Sequence, residues 1–250
     1  MNLAPSTRPN LAAPVLSRFR QLSPVSAEME ALLRSLGDVQ TVKAGAELIG
    51  ERDPVGRPRF VLSGWAARVR WLPDGRRQIL AFAVAGESSG LCLRPSPLAL
   101  STTIALTNMQ LLDAGPVQRA LASDDPVWNE LREAMHVSTS LDEAYLLNQV
   151  TRLGRQTAYE RMCHMLLEVR ERLLMAGIGD GAKFPMPLTQ EILADATGLS
   201  IVHVNRILQQ LRRERLLDMH GGQVRLLDLA AIQTIADYRR STSNPSITSR

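Results

Sequence analysis

The stretch DATGLSIVHVNRILQQLRR, residues 195–213, decides the reading of this chain. Ile192, Leu193 and Ala196 keep helical spacing around its start, and Val204, Ile207, Leu208 and Leu211 keep it towards its end. Between them Gly198 can take a left-handed backbone conformation at little cost, which ends one helix and turns the chain. Ser200 then offers a side-chain oxygen to the free amides of a second helix. The expectation is helix, tight turn, helix. The DNA major groove admits one helix, and a second crossing behind it fixes the angle. Ala194 is the small residue needed where two such helices touch, and Leu199, Val204 and Ile207 supply the apolar underside. His203, Asn205 and Arg206 remain on the outer face near the start of the second helix. An ordinary αα-corner needs the same apolar positions. What favours a DNA reader is the hairpin signal His220-Gly221-Gly222-Gln223 just beyond, which reads as the wing of a winged helix.

The charge follows the same motif. Residues 1–150 hold 15 Lys+Arg and 15 Asp+Glu, whereas residues 151–250 hold 14 and 10, so the whole net charge of +4 lies in the part that contains the two helices. A chain of 250 residues, 45% hydrophobic, suffices for one large domain or two modest ones. Its longest apolar runs, such as residues 79–85, are too short to span a membrane. The first twenty residues carry Arg8, Arg18 and Arg20 without a compact apolar segment, so no export signal is expected and the location is read as cytoplasmic. Cys92 and Cys163 lie far apart and form neither a disulfide framework nor a metal motif. No metal site and no cofactor is expected.

Residues 38–113 read as short strands broken by turn residues: 59–62, 65–71, the turn Pro73-Asp74-Gly75, 76–84, a break at 86–90, 101–106 and 109–112. That spacing argues for an antiparallel sandwich or barrel. Residues 27–36 read as a short helix stopped by Gly37. Asp125-Pro126 is a helix start, and apolar positions recur at helical spacing to residue 153 despite the weak Val137-Ser138-Thr139. Gly154 reads as a joint, residues 159–175 as a second helix closed by Gly177-Ile178-Gly179, and Asp228 as the cap of a last helix. The fold class is α+β, with limits at 15–125 for the β-domain, 126–153 for a long helix and 154–240 for the winged helix; 241–250 reads as a disordered tail.

The segment LTQEILADATGLSIVHVNRILQQLRRERLL, residues 188–217, resembles the winged helix-turn-helix of the Crp/Fnr family of transcription regulators. The similarity extends through NQVTRLGRQTAYERMCHMLLEV, residues 148–169, and FVLSGWAARVRWLPDGRRQILAFAVAGE, residues 60–87. It implies a β-roll (double-stranded β-helix) sensor domain resembling the cyclic-nucleotide-binding one, a dimerisation helix and a homodimer on an inverted repeat in double-stranded DNA, with RNA polymerase as a further partner. In that family a serine opening the recognition helix meets phosphate and an arginine six residues later reads guanine; Ser200 and Arg206 match. Thr189, with Gln190 beside it, matches a position that meets the backbone. Ile201 and Val202 stand where the family commonly has Arg-Glu, so the usual operator is not expected. With His203 and Asn205 these residues make the candidate DNA interface. The seam of the dimer is expected at Leu131, Leu141 and Tyr145.

Cyclic-nucleotide-binding members hold the ribose with a carboxylate and the phosphate with an arginine. Those positions fall on Gly90-Leu91-Cys92 and Leu100-Ser101, where both charges are missing, and Arg94 is the only cation nearby in sequence. Control by cyclic AMP is therefore not expected. Four cysteines for an iron–sulfur cluster are lacking, no histidine lies near Cys92, and the effector-binding residues are unknown from sequence. Cys163 and His164 point to different sides of a helix, and His136 and His220 are isolated. Asp124/Asp125 read as a cap and Glu168/Glu171 as a solvated helical face, so no enzyme is indicated. The alternative is a ligand-binding or protein-interaction module of the same fold without specific DNA binding. Neither the operator sequence nor the choice between activation and repression is legible.

Overall fold

The computed structural model describes residues 11–92 and 97–241. The expected tail lies outside the described residues except for Ser241, as does Arg94. The chain begins with helices α1 (Ala13–Leu22) and α2 (Ala27–Ser35), the second capped by the Ser26 hydroxyl at the Met29 amide. Eight strands follow: β1 (Val39–Val42), β2 (Glu47–Ile49), β3 (Arg59–Ser63), β4 (Ala66–Trp71), β5 (Arg77–Ala83), β6 (Ser88–Ser89), β7 (Thr102–Ala105) and β8 (Met109–Asp113). They form two four-stranded antiparallel sheets, ordered β1-β8-β3-β6 and β2-β7-β4-β5, which face each other as a β-roll. Strand alternation decides what each face meets. On β4, Ala67 and Val69 turn outward into a core shared with the winged helix, while Ala66 and Arg68 turn towards the interior of the roll.

Helix α3 (Gly115–Ala122) and a 3₁₀ turn (Pro126–Trp128), capped by Asp125, lead into α4 (Asn129–Arg155). At about 1.5 Å per residue, α4 is about 40 Å long. It runs unbroken through residues 137–139, where Ser138 packs inward and the Thr139 hydroxyl satisfies itself by donating to the Met135 carbonyl at 2.9 Å. Nor does it end at Gly154, correcting that expected joint. A glycine costs a helix only about 1 kcal/mol; the break comes at Gln156-Thr157, where Thr157 and Glu160 form a capping box that starts α5 (Ala158–Met175).

The winged helix comprises β9 (Lys183–Pro185), α6 (Gln190–Thr197), α7 (Ile201–Arg213), β10 (Leu217–His220), β11 (Gln223–Leu226) and α8 (Leu229–Ala236), with the sheet ordered β10-β11-β9. Phe184, Leu193, Val204, Leu211, Val224 and Ile232 form its core. That core is continuous with Trp65, Val69, Ile79 and Phe82 of the β-roll. Burying each such side chain contributes about 1.5–3 kcal/mol, so the roll's outer face and the winged helix hold each other in place. No helix among the described residues is long and apolar enough to cross a membrane.

Candidate DNA interface and sensor cavity

The helix-turn-helix is built by short-range bonds. The Thr189 hydroxyl accepts from the Ile192 amide at 3.3 Å and starts α6; Gly198, at φ 66° and ψ 33°, ends it. Ser200 accepts from the His203 amide at 3.2 Å and starts α7. With Val204, Ile207, Leu208 and Leu211 buried, α7 turns Ile201, Val202, His203 and Arg206 outward, and Asn205 is half-buried at its edge. Gln190 is half-buried on the first turn of α6, and Thr189 and Ser200 are exposed. Arg206 makes no ion pair among the described residues, so its guanidinium fork is free. Gly221 and Gly222, at φ 57° and 72°, close the β10–β11 hairpin. Positive φ at both turn residues matches the twist of a two-residue hairpin. The expected DNA-facing residues thus come together on one side.

The far end of α6 is gripped from three directions. Gln78 on β5 donates to the Asp195 carbonyl at 2.8 Å, Gln149 on α4 to the Ala196 carbonyl at 2.8 Å, and Arg161 on α5 to the Thr197 carbonyl at 2.5 Å. The last carbonyls of a helix have no partner within it, so these donors cap α6 while fixing its orientation to the β-roll. Arg77, stacked over Trp71, adds a two-bond ion pair to Asp195 at 2.9 and 2.5 Å. Sequence reading missed this clamp, since its partners carry no local signal.

Beneath it runs a buried charge network. Arg172 donates to both carboxylate oxygens of Glu87 at 2.8 and 2.6 Å, and Arg18 lies 3.4 Å from the same group. Arg152 donates to Glu168 at 2.8 Å and faces His164 Nδ1 at 3.2 Å. Burial alone would raise the Glu87 carboxyl, but Arg172 and Arg18 hold it below the usual range. Burial, then Arg152, push the His164 ring down to about 4. The expectation of a solvated Glu168/Glu171 face is therefore wrong. Glu168 is buried where α5 packs on α4, held by Arg152 and Asn148 of that helix, and Glu171 is half-buried and accepts from the Tyr238 hydroxyl at 2.7 Å. Burial pushes the Cys163 thiol up to about 12. No group of three His, Cys, Asp or Glu among the described residues could hold a metal.

Between the β-roll and α4 lies an open cavity of about 590 Å³. Leu91 lines it, and Leu100, 72% exposed, stands at its rim, so neither expected nucleotide-contact position supplies a charge. Cations reach it instead from distant parts of the chain: Arg18, Arg68, Arg132 and Arg172. Asp142 faces it from α4, open to water yet enclosed by protein. Burial, then Glu87, raise its carboxyl above the usual range.

The expected seam residues lie elsewhere than a seam requires. Leu131, Leu141 and Tyr145 are at most 4% exposed within one chain, packed against α1 and the roll, so they have no surface to offer a partner. This corrects that assignment. The outward face of α4 instead carries His136, Ser140, Glu143, Leu147, Val150 and Gly154, spaced alternately four and three apart. Of these Leu147 is 61% and Val150 69% exposed.

Residues 160–235 match the Crp-like helix-turn-helix domain family. The nitrogen fixation regulation protein FixK of Bradyrhizobium diazoefficiens is 29% identical over 196 residues, covering 77% of this chain and 79% of that protein. The transcriptional activatory protein AadR of Rhodopseudomonas palustris is 28% identical over 177 residues, covering 70% and 72%. The solved structure of FixK2 from Bradyrhizobium japonicum superposes with a TM-score of 0.68 at 24% identity, over 81% of this chain and 98% of that one. These relatives are regulators, and none is an enzyme.

Proposed function

We propose, for a chain that belongs to the Crp/Fnr family of transcription regulators, that it acts in the cytoplasm as a homodimer reading an inverted repeat in double-stranded DNA. The observation that carries this reading is α7, capped by Ser200 and presenting Val202, His203 and an unpaired Arg206 outward from a fixed core. An arginine fork can donate two hydrogen bonds to the O6 and N7 acceptors of guanine. Exposed Val202 beside it suits a thymine methyl. Ser200, Thr189 and Gln190 would contact phosphate, with Ile201 and Asn205 at the edges of the reading face. RNA polymerase is the further partner in this reading.

The outward stripe of α4 supports the dimer. A 3.5-residue repeat is the seam of a two-stranded coiled coil, and at Gly154 a close approach meets nothing of the chain itself. Two-fold symmetry would set the α7 helices about 34 Å apart, one turn of DNA. Leu147→Glu should convert the dimer to monomer in light scattering at micromolar concentration, whereas Leu141→Glu should first damage the fold.

Selection of bound sequences from a random DNA pool tests the whole reading, with an inverted repeat as the expected result. Arg206→Ala should then cost about 1–3 kcal/mol per half-site contact and relax preference at one base. If it lowers specific and random-sequence affinity equally at fixed salt, Arg206 is a phosphate anchor and the assignment fails. Cyclic AMP should give no binding heat at micromolar concentrations.

A further inference from the structure

The cavity between the β-roll and α4 has a charged interior and an apolar mouth. Arg68 enters it because β4 alternates, carrying Ala67 and Val69 outward and Arg68 inward. A charged residue on the inner face of a roll is costly unless paired. Arg68 donates from Nε to the Ser101 hydroxyl at 3.1 Å, and no carboxylate lies within 4 Å of it. Its two terminal amino groups have no hydrogen-bond acceptor among the described residues.

The other cavity cations are committed. Arg18 and Arg172 share Glu87, and Arg132 donates to Ser123, Asp125 and Asn129. Arg70, two positions along the same strand, is paired with Glu51 at 3.4 Å. The Tyr145 hydroxyl, on the α4 wall, is buried without a hydrogen-bond partner. At the mouth, Leu98, Leu100 and Leu146 are 57%, 72% and 37% exposed, three exposed large apolar side chains gathered at one opening. A volume of about 590 Å³ is within the range of small-molecule sites.

We propose that this cavity binds a small amphipathic carboxylate, its head paired to the free terminal amino groups of Arg68 and its apolar body covered by Leu98, Leu100 and Leu146. The Ser101 hydroxyl positions the guanidinium, and Tyr145 supplies a further polar contact deeper in. A guanidinium and a carboxylate match as a bidentate pair, while the leucines would otherwise stay in water. A cyclic nucleotide would bring ribose hydroxyls to Leu91, which cannot bond them. The proposal deepens the regulator reading by giving its β-roll an effector class, and it is tested without DNA, so failure of either leaves the other standing.

The test is calorimetric titration of the full chain with octanoate, octanol and octylammonium at fixed ionic strength. Octanoate should bind one per chain, at least tenfold more tightly than octanol, and octylammonium should not bind. Arg68→Gln should weaken octanoate at least tenfold and leave octanol unchanged, and Arg68→Lys should restore part of the loss. A circular dichroism melt checks that each variant is folded; should Arg68→Gln not fold, Ser101→Ala, which frees the guanidinium to swing, should weaken octanoate severalfold. The proposal is overturned if octanoate and octanol bind alike, if octanoate gives no heat at millimolar concentration, or if the folded variants bind octanoate as the parent does.

Discussion

In the winged helix, Thr189, Ser200 and Asp228 each accept a hydrogen bond from an amide three residues further on. In the junction below it, Arg172 reaches Glu87 across 85 positions, Gln149 reaches the Ile79 carbonyl across 70, and Arg77 reaches Asp195 across 118. Both regions satisfy polar groups that folding would otherwise strand. The winged helix does so one turn at a time, so its parts are separable. The junction ties α1, the roll, α4 and α5 together, and no single element can satisfy its own charges. A fault there should spread, whereas a lost cap should stay local.

The largest effect expected from this contrast is Arg172→Met. It leaves Glu87 buried with the Val84 amide and, as its one remaining ion-pair partner, Arg18 at 3.4 Å, and removes a cation from beside Glu168. Removing one partner of a buried pair costs about 3–5 kcal/mol, readable as a drop in the urea midpoint. A loss of only about 1 kcal/mol would erase the distinction between the two regions.

Acid should separate them next. His164 is held neutral in the fold, down to about 4, while the unfolded chain protonates it near 6.5. The unfolded state then binds the extra proton, so stability falls as pH drops from about 6.5 towards 4, by up to about 3 kcal/mol. Glu87, held below the usual range, acts in the same direction at lower pH: its contribution is present above about 4.5 and lost as pH falls through its folded value. His164→Gln should flatten the slope between pH 7 and 5, and Ser200→Ala should keep it. Equal slopes in both would put the titration elsewhere.

The clamp on α6 should give a smaller loss. Gln149→Leu strands the Ala196 carbonyl in a buried site and leaves the Ile79 carbonyl to Gln78, at a cost of about 1–3 kcal/mol. Hydrogen exchange should quicken in α6 more than in α8, which the clamp does not touch. Smallest is Ser200→Ala, at about 1 kcal/mol for the lost cap. On the proposed reading, in which Ser200 contacts phosphate, it should weaken binding to all DNA sequences alike, since such a contact carries no base information.

Elements whose signals are local were legible from the residue order. Gly198 had to turn because only a residue tolerant of positive φ joins α6 to α7 so tightly, and Gly221-Gly222 fixed the wing for the same reason. Short apolar runs bounded by turn residues marked β3, β4 and β5, and Asp125, Ser200 and Asp228 announced three helix starts. Short strands such as β6 and β9 escaped, being too brief to show a period. Which face of α4 points inward depended on packing. Leu141 and Leu147 are equally apolar, and what separates them is that α1 and the roll cover one and leave the other bare. It also turned Glu168 from a surface residue into a buried ion-pair partner, and brought Arg68, Ser101 and Tyr145 to one cavity. Periodicity measures how a residue relates to its neighbours along the chain. Burial and pairing depend on what packs against it from 50 or 100 positions away, and no local pattern encodes that.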